Sequence, residues 1–266
     1  MQQKPPYLGR QFGDVFQDAS VAAAYRFRAP YPPETFAVLS RLLVDAPRAV
    51  LDVGAGRGDV ARALLPYAER VDALDPSPAM IALGRTMPGG DEPRLRWIQG
   101  YAEDAPFDPP YALITAAQSL HWMEWGLVLP RFASALAPNG SLAVLTTVEA
   151  PRPWDEALVP IIKRYSLNQG YRPYDLIALL QERGLFERRG ELCTAPVPFA
   201  QTVDDYIEAF HAMSSFSRER MRQEDAGAFD AEVGMLMAPY AAADADGLLR
   251  WEVSALITWG RPLAGA

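Results

Sequence analysis

Glycine recurs at alternate positions, Gly54, Gly56 and Gly58, directly after the apolar run Ala49–Val53. That spacing allows a tight strand-to-helix turn whose backbone approaches a ligand closely, and the helix that follows offers it free N–H groups. A glycine trio alone also fits a plain tight turn. Two carboxylates strengthen the binding reading. Asp75 stands 21 residues after Gly54, at the end of the next apolar run, Val71–Leu74. A carboxylate there accepts both hydroxyls of a ribose. Asp52 lies inside the first run, where a buried ionised group is costly unless paired, and a ligand ammonium would pair it. The pattern G-x-G-x-G lacks the third glycine of G-x-G-x-x-G, which counts against a dinucleotide.

Only two histidines are present. His121 follows the apolar run Ala112–Ala116 and is the candidate base or substrate-orienting group; packing against Trp122 is the alternative. His211, between Phe210 and Met213, reads as a packing or cap-lining residue. Trp122 and Trp125 fit a pocket wall or a core. Cys193 is the single cysteine, which excludes an internal disulfide and a cysteine-based zinc cluster, and it reads as a small buried hydrophobe. No metal site is expected.

The elements that position these residues alternate. Val60, Ala61, Leu64 and Leu65 share one helical face behind the glycines, and Leu95–Gln99, Ala112–Ala116 and Ser141–Val148 are further strand candidates. Leu129, Phe132 and Leu136 mark a helix that Pro138-Asn139-Gly140 stops. Such alternation argues for βαβ units and a mostly parallel sheet. After Val148 the rhythm breaks. A helix from about Asp175 ends at Gly184, Leu192–Phe199 is an edge or broken strand because of Pro196 and Pro198, Thr202 starts a helix, and Leu249–Trp259 is a last strand.

These motifs resemble those of the class I S-adenosylmethionine-dependent methyltransferases. Leu51–Gly58 is similar to the family's first motif, which implies that Asp52, Gly54, Ala55 and Gly56 hold the methionyl part of the cofactor. Asp75 is similar to the ribose-binding acid, with Pro76 and Met80 flanking the adenine. Gln99–Phe107 resembles the third motif, implying Ala102 and Glu103 at the adenine amino group, although Tyr101 stands where aspartate is common. Ala116–Trp122 resembles the fourth-strand exit, which sets Ala117 and Gln118 beside the transferring methyl. Tyr25–Pro32, Gln118…His121-Trp122, Pro198-Phe199…Thr202–Tyr206 and Ser214–Ser217 resemble a small-molecule branch that includes trans-aconitate methyltransferase-like proteins.

The resemblance implies an α/β fold: a Rossmann-like seven-stranded, mostly parallel sheet with helices on both faces and a mostly helical cap. Residues 1–45 would fold over the cofactor site, 46–150 form the core, and 151–266 form the cap and final strands. Arg28 would hold a carboxylate of cofactor or substrate, with Tyr31, Trp122, Trp154 and Phe210 around the acceptor. The resemblance further implies S-adenosyl-L-methionine as cofactor and a small-molecule acceptor, methylated on a carboxylate or hydroxyl oxygen. A nicotinamide-dependent oxidoreductase and a non-catalytic cofactor-binding accessory protein are the alternatives. A formal charge of −8 with no basic stripe argues against nucleic acid. No apolar run of membrane length and no signal core in Met1–Pro6 lead to a cytoplasmic expectation.

Overall fold

Aliphatic runs buried on both faces make the central strands of the computed structural model, which describes residues 4–263. The reading of Met1–Pro6 and the outer ends of the ranges 1–45 and 151–266 therefore lie partly outside the described residues. In chain order the strands are β1 (Ala49–Val53), β2 (Arg70–Asp75), β3 (Leu95–Gln99), β4 (Tyr111–Ala117), β5 (Leu136–Glu149), β6 (Phe186–Cys193), β7 (Val197–Gln201) and β8 (Leu249–Pro262). The helices are α1 (Arg10–Gly13), α2 (Ala19–Ala24), α3 (Pro33–Arg41), α4 (Asp59–Leu64), α5 (Pro78–Thr86), α6 (Trp125–Ala135), α7 (Asp155–Tyr165), α8 (Leu176–Glu182), α9 (Val203–His211) and α10 (Gln223–Ala242).

The sheet order is β3-β2-β1-β4-β5-β8-β6, with β7 also on β8. Strands β1 to β5 run parallel, and β8 runs antiparallel to β5, β6 and β7. The chain reverses its direction of travel between β1 and β4, where an open α/β sheet leaves a ligand crevice beyond the strand ends. Helices cover both faces. Val38, Leu39, Val60 and Leu64 of α3 and α4 pack on one, and Val128, Leu129, Phe132 and Leu180 of α6 and α8 on the other.

The strand count is eight rather than the expected seven, because one expected strand is two. β6 and β7 lie end to end along the same edge of β8, separated at Thr194-Ala195-Pro196. Thr194 keeps the ladder through the break: its N–H donates to the Ala255 carbonyl (2.9 Å) and its Oγ1 accepts from the Ala255 N–H (2.9 Å). Proline has no N–H to continue it. Cys193, expected to be buried, is exposed at this edge. Helix α7 went unread in sequence because Pro160 interrupts its pattern.

Strands β5 and β8 are 14 residues each and outrun their neighbours. Their extra length carries a separate apolar cluster built from α7, α9 and α10, centred on Phe229, which is fully buried. Phe216 stacks on Phe229 at 4.8 Å, with Phe210 at 5.5 Å and Tyr165 at 5.9 Å. His211 is also buried there, its Nδ1 on the Phe216 carbonyl and its Nε2 on Asp230, both at 2.7 Å. Phe229→Ala is expected to cost about 3–5 kcal/mol by leaving a cavity among rings that cannot collapse. Denaturant unfolding checks this, and a midpoint like that of the parent chain would remove Phe229 from the core role.

Candidate functional site

The glycine turn is shaped by what lies across it. At Gly54 the backbone is left-handed (φ +64°), and a Cβ there would sit 2.4 Å from the Ser119 Cβ. Ser119 belongs to the exit of β4 and donates from Oγ to the Val53 carbonyl (2.6 Å). The turn and the β4 exit can touch only because residue 54 has no side chain.

Two buried carboxylates organise the turn. Asp75 Oδ2 accepts from the Gly56 N–H (2.7 Å) and Oδ1 from the Ser77 N–H (2.8 Å). Ser77 in turn caps α5 by accepting from the Met80 N–H. Asp52 Oδ2 accepts from the Ala61 N–H (3.1 Å) and Oδ1 from the Thr115 hydroxyl (2.7 Å). Gly58 occupies the N-cap of α4 and has no side chain to cap with, so Asp52 caps that helix from inside β1. Asp52, which the sequence alone pairs with a ligand ammonium, thus already has two hydrogen-bond donors within the chain. Neutral donors answer both carboxylates, and burial dominates their titration. It pushes Asp75 up to about 6 and Asp52 up to about 7, against the opposing effect of those hydrogen bonds.

Arg28, Gly54, Gly56, Asp75, Pro76, Met80, Ala102, Glu103, Ala117, Gln118 and Trp122 line one cavity of about 780 Å³, part of it open to solvent. Asp52, Ala55 and Tyr31 line an adjoining space behind the glycine turn. Phe210 lines a third, beneath α7 and α9. Trp154, expected at the acceptor, is instead core: it is 3% exposed, and its indole N–H donates to the Tyr206 hydroxyl (3.1 Å). Trp125 is likewise buried, with its indole N–H on the Leu120 carbonyl. His121 lines none of these cavities. Its ring lies 4.3 Å from that of Trp122, and burial, reinforced by Lys4 and Arg28, pushes its pKa down to about 3. It is neutral and weakly basic, a poor match for proton abstraction near neutral pH.

Gln118 is the one described non-glycine residue with positive φ (+51°). Its side chain holds the strained backbone in place by accepting from Arg28 Nη2 (2.7 Å) and donating to Thr147 Oγ1 (2.7 Å). Sequence reasoning missed Arg10, Gly13, Asp14 and Phe16, which also line the first cavity. Tyr101 brings them there: its hydroxyl donates to Asp14 (2.9 Å), and the Arg10 guanidinium lies 3.7 Å over its ring. The one available signal was the unusual tyrosine itself.

Residues 50–140 match the family described as methyltransferase domain. That segment is similar to a methyltransferase domain. It contains the glycine turn, both buried carboxylates and the β4 exit. An uncharacterised methyltransferase of Mycobacterium tuberculosis is 33% identical over 148 residues, 55% of this chain and 58% of that protein. Trans-aconitate 2-methyltransferase of Methylobacterium radiotolerans is 33% identical over 163 residues, 53% of this chain and 60% of that protein. The aligned parts thus span about three-fifths of these relatives' lengths. The likeness in fold extends further. A structure from Anaeromyxobacter dehalogenans, described as a type II methyltransferase, superposes with TM-score 0.59 at 21% identity, covering 88% of this chain and 97% of that one. A methyltransferase from Thiobacillus denitrificans, in complex with S-adenosyl-L-homocysteine, superposes with TM-score 0.50 at 15% identity, covering 92% and 96%.

The raised pKa of Asp52 has a consequence for stability. The folded chain holds this proton more tightly than the unfolded chain, so folding is least penalised below about pH 4 and stability falls as pH rises through about 7. Asp52→Asn, which can still accept from Ala61 and donate to Thr115, is expected to stabilise the ligand-free protein at pH 8 by roughly 1–3 kcal/mol and by little near pH 4. Denaturant midpoints at the two pH values test this; an equal or absent effect at both would refute it.

Proposed function

We propose that the chain is an S-adenosylmethionine-dependent methyltransferase whose acceptor is a small molecule, methylated on a carboxylate or hydroxyl oxygen. The observation that carries the reading is the convergence of the glycine turn, Asp75 and the Ala102–Glu103 segment on one cavity at the switch point of the sheet. The likeness to trans-aconitate 2-methyltransferase of Methylobacterium radiotolerans and the S-adenosyl-L-homocysteine in the Thiobacillus structure support it.

The residues present fit this cofactor. Each Asp75 oxygen spends one lone pair on a backbone N–H, leaving acceptor capacity for two ribose hydroxyls. Leu74, Pro76 and Met80 offer an apolar slot for a purine, and Glu103 an acceptor for its amino group. The side-chain-free Gly54 and Gly56 leave room for an amino-acid tail, and Arg28 offers a cation to a carboxylate of cofactor or acceptor. When bound, S-adenosylmethionine supplies an electrophilic methyl on a sulfonium. The chain's own contribution is then to orient two reactants and exclude water. The β4 exit, stiffened by Gln118 and Ser119, does the orienting. An acceptor that is already ionised needs no base, in keeping with the position and low basicity of His121.

Asp75 accepts both hydroxyls only when ionised. S-adenosylhomocysteine should therefore bind with constant affinity above about pH 7 and roughly tenfold more weakly near pH 5, since Asp75 titrates at about 6. Asp75→Ala should cost about 1–3 kcal/mol of binding at neutral pH and abolish that pH dependence. Isothermal calorimetry measures both, with NADH as the competing ligand. Tight NADH binding, or parent affinity in the variant, would overturn the assignment.

A further inference from the structure

A third cavity opens beside the first, between β5, β7 and β8 below and α7 and α9 above. Its walls are rich in rings, Phe199, Tyr206, Phe210 and Trp251, with Leu158 and Ile162, and the charged groups among them, Arg152 and Glu149, are paired with each other. At the end it shares with the first cavity the lining turns polar, at Arg28 and Gln118, with Thr147 bonded to the Gln118 amide. Charge is distributed unevenly over the arginines that line the three spaces. Arg10 pairs with Asp14 (3.7 Å), Arg57 and Arg62 with Asp59 (2.8 and 2.6 Å), and Arg152 with Glu149 and Asp155 (2.7 and 2.8 Å). Arg28 alone among them has no carboxylate partner among the described residues. Among the described residues its guanidinium makes one hydrogen bond, to the neutral Gln118 amide (2.7 Å), and lies 5.1 Å from the Tyr25 ring.

We infer that the methyl acceptor is a monocarboxylic acid with an apolar, ring-bearing body, seated in this third cavity with its carboxylate on Arg28. The inference rests on the cofactor reading above and narrows its acceptor class. A guanidinium binds a carboxylate through paired N–H donors. A second or third carboxylate would find the chamber's other cation, Arg152, already met by Glu149 and Asp155, and would lie unpaired against the rings, where burial of a charge is costly. Thus one free cation facing one apolar chamber selects one charge and one apolar body.

The chemistry balances without a base. One carboxylate oxygen forms a bond to the methyl carbon as the carbon–sulfur bond breaks, and the sulfur keeps the electron pair as a neutral thioether. The negative charge of the acid and the positive charge of the sulfonium disappear together, and no proton moves. The neutral ester gives Arg28 no anion to hold, which favours its release.

The test uses the full chain with S-adenosylmethionine and a panel of arylalkanoic acids, their matched phenols and amines, and trans-aconitate, with methylated products read by mass spectrometry. The expected result is methyl ester from the arylalkanoic acids, with kcat/KM at least tenfold above that for trans-aconitate or for the matched phenols and amines. Arg28→Gln should raise KM for the acid about tenfold or more while the Kd for S-adenosylhomocysteine stays within about twofold. Met213→Glu places a carboxylate on the 39% exposed rim of the chamber and should also raise KM without moving that Kd. Preference for trans-aconitate, a phenol or an amine would overturn the inference. So would an Arg28→Gln variant that loses S-adenosylhomocysteine affinity but keeps the parent KM for the acid. Parent chain that binds S-adenosylhomocysteine but esterifies no monocarboxylate brings down this inference alone; a chain that does not bind it brings down the cofactor reading beneath.

Discussion

Two carboxylates buried at the ends of adjacent parallel strands, and answered only by neutral donors, hold the ligand-facing edge of this sheet together. Asp75 ties the tip of β2 to the glycine turn through the Gly56 N–H. Asp52 ties β1 to the start of α4 and to β4 through Ala61 and Thr115. A third buried carboxylate, Asp72, lies at the opposite end of the same layer and is met by the Arg96 guanidinium at 2.7 and 2.8 Å. The contrast is physical. An ion pair completes the charge of Asp72 within the chain, whereas no cation of the described residues meets Asp52 or Asp75, and burial raises their pKa values.

A second constraint follows from the glycine turn. Next to Ser119, which Gly54 admits against the first loop, Gln118 has a left-handed backbone, and its amide is the meeting point of three segments. Arg28 arrives from the N-terminal segment and Thr147 from β5. The junction between the first cavity and the ring-lined chamber is therefore a hydrogen-bonded node that holds one strained residue in place. Tyr101 makes the corresponding closure at the far end by gripping Asp14 and stacking under Arg10.

The ring-lined chamber depends on the unequal strand lengths. Were β5 and β8 as short as β1, the cluster around Phe229 would have no floor, and α7, α9 and α10 would have nothing to pack against. The break between β6 and β7 belongs to the same design. Pro196 lies in that break, and the chain resumes as β7 under the cap with Phe199 facing the Trp251 ring at 5.0 Å.

Local chemistry was enough to read the parallel core from sequence. The continuous burial of β1, the turn glycines, the acid ending β2 and the Thr202 cap of α9 all act over a few residues, so spacing alone reveals them. The placement of Arg28 beside the crevice was legible too, through the resemblance of Tyr25–Pro32. What required the tertiary structure was every property set by partners distant in the chain. Asp52 reads as a charge in search of a ligand until Ala61 and Thr115 are folded against it. Trp154 reads as a pocket wall until Tyr206 and Trp251 enclose it, and His121 as a base until burial has removed its proton affinity. Hydrogen-bond satisfaction and desolvation are set by three-dimensional neighbours, and no local spacing encodes them.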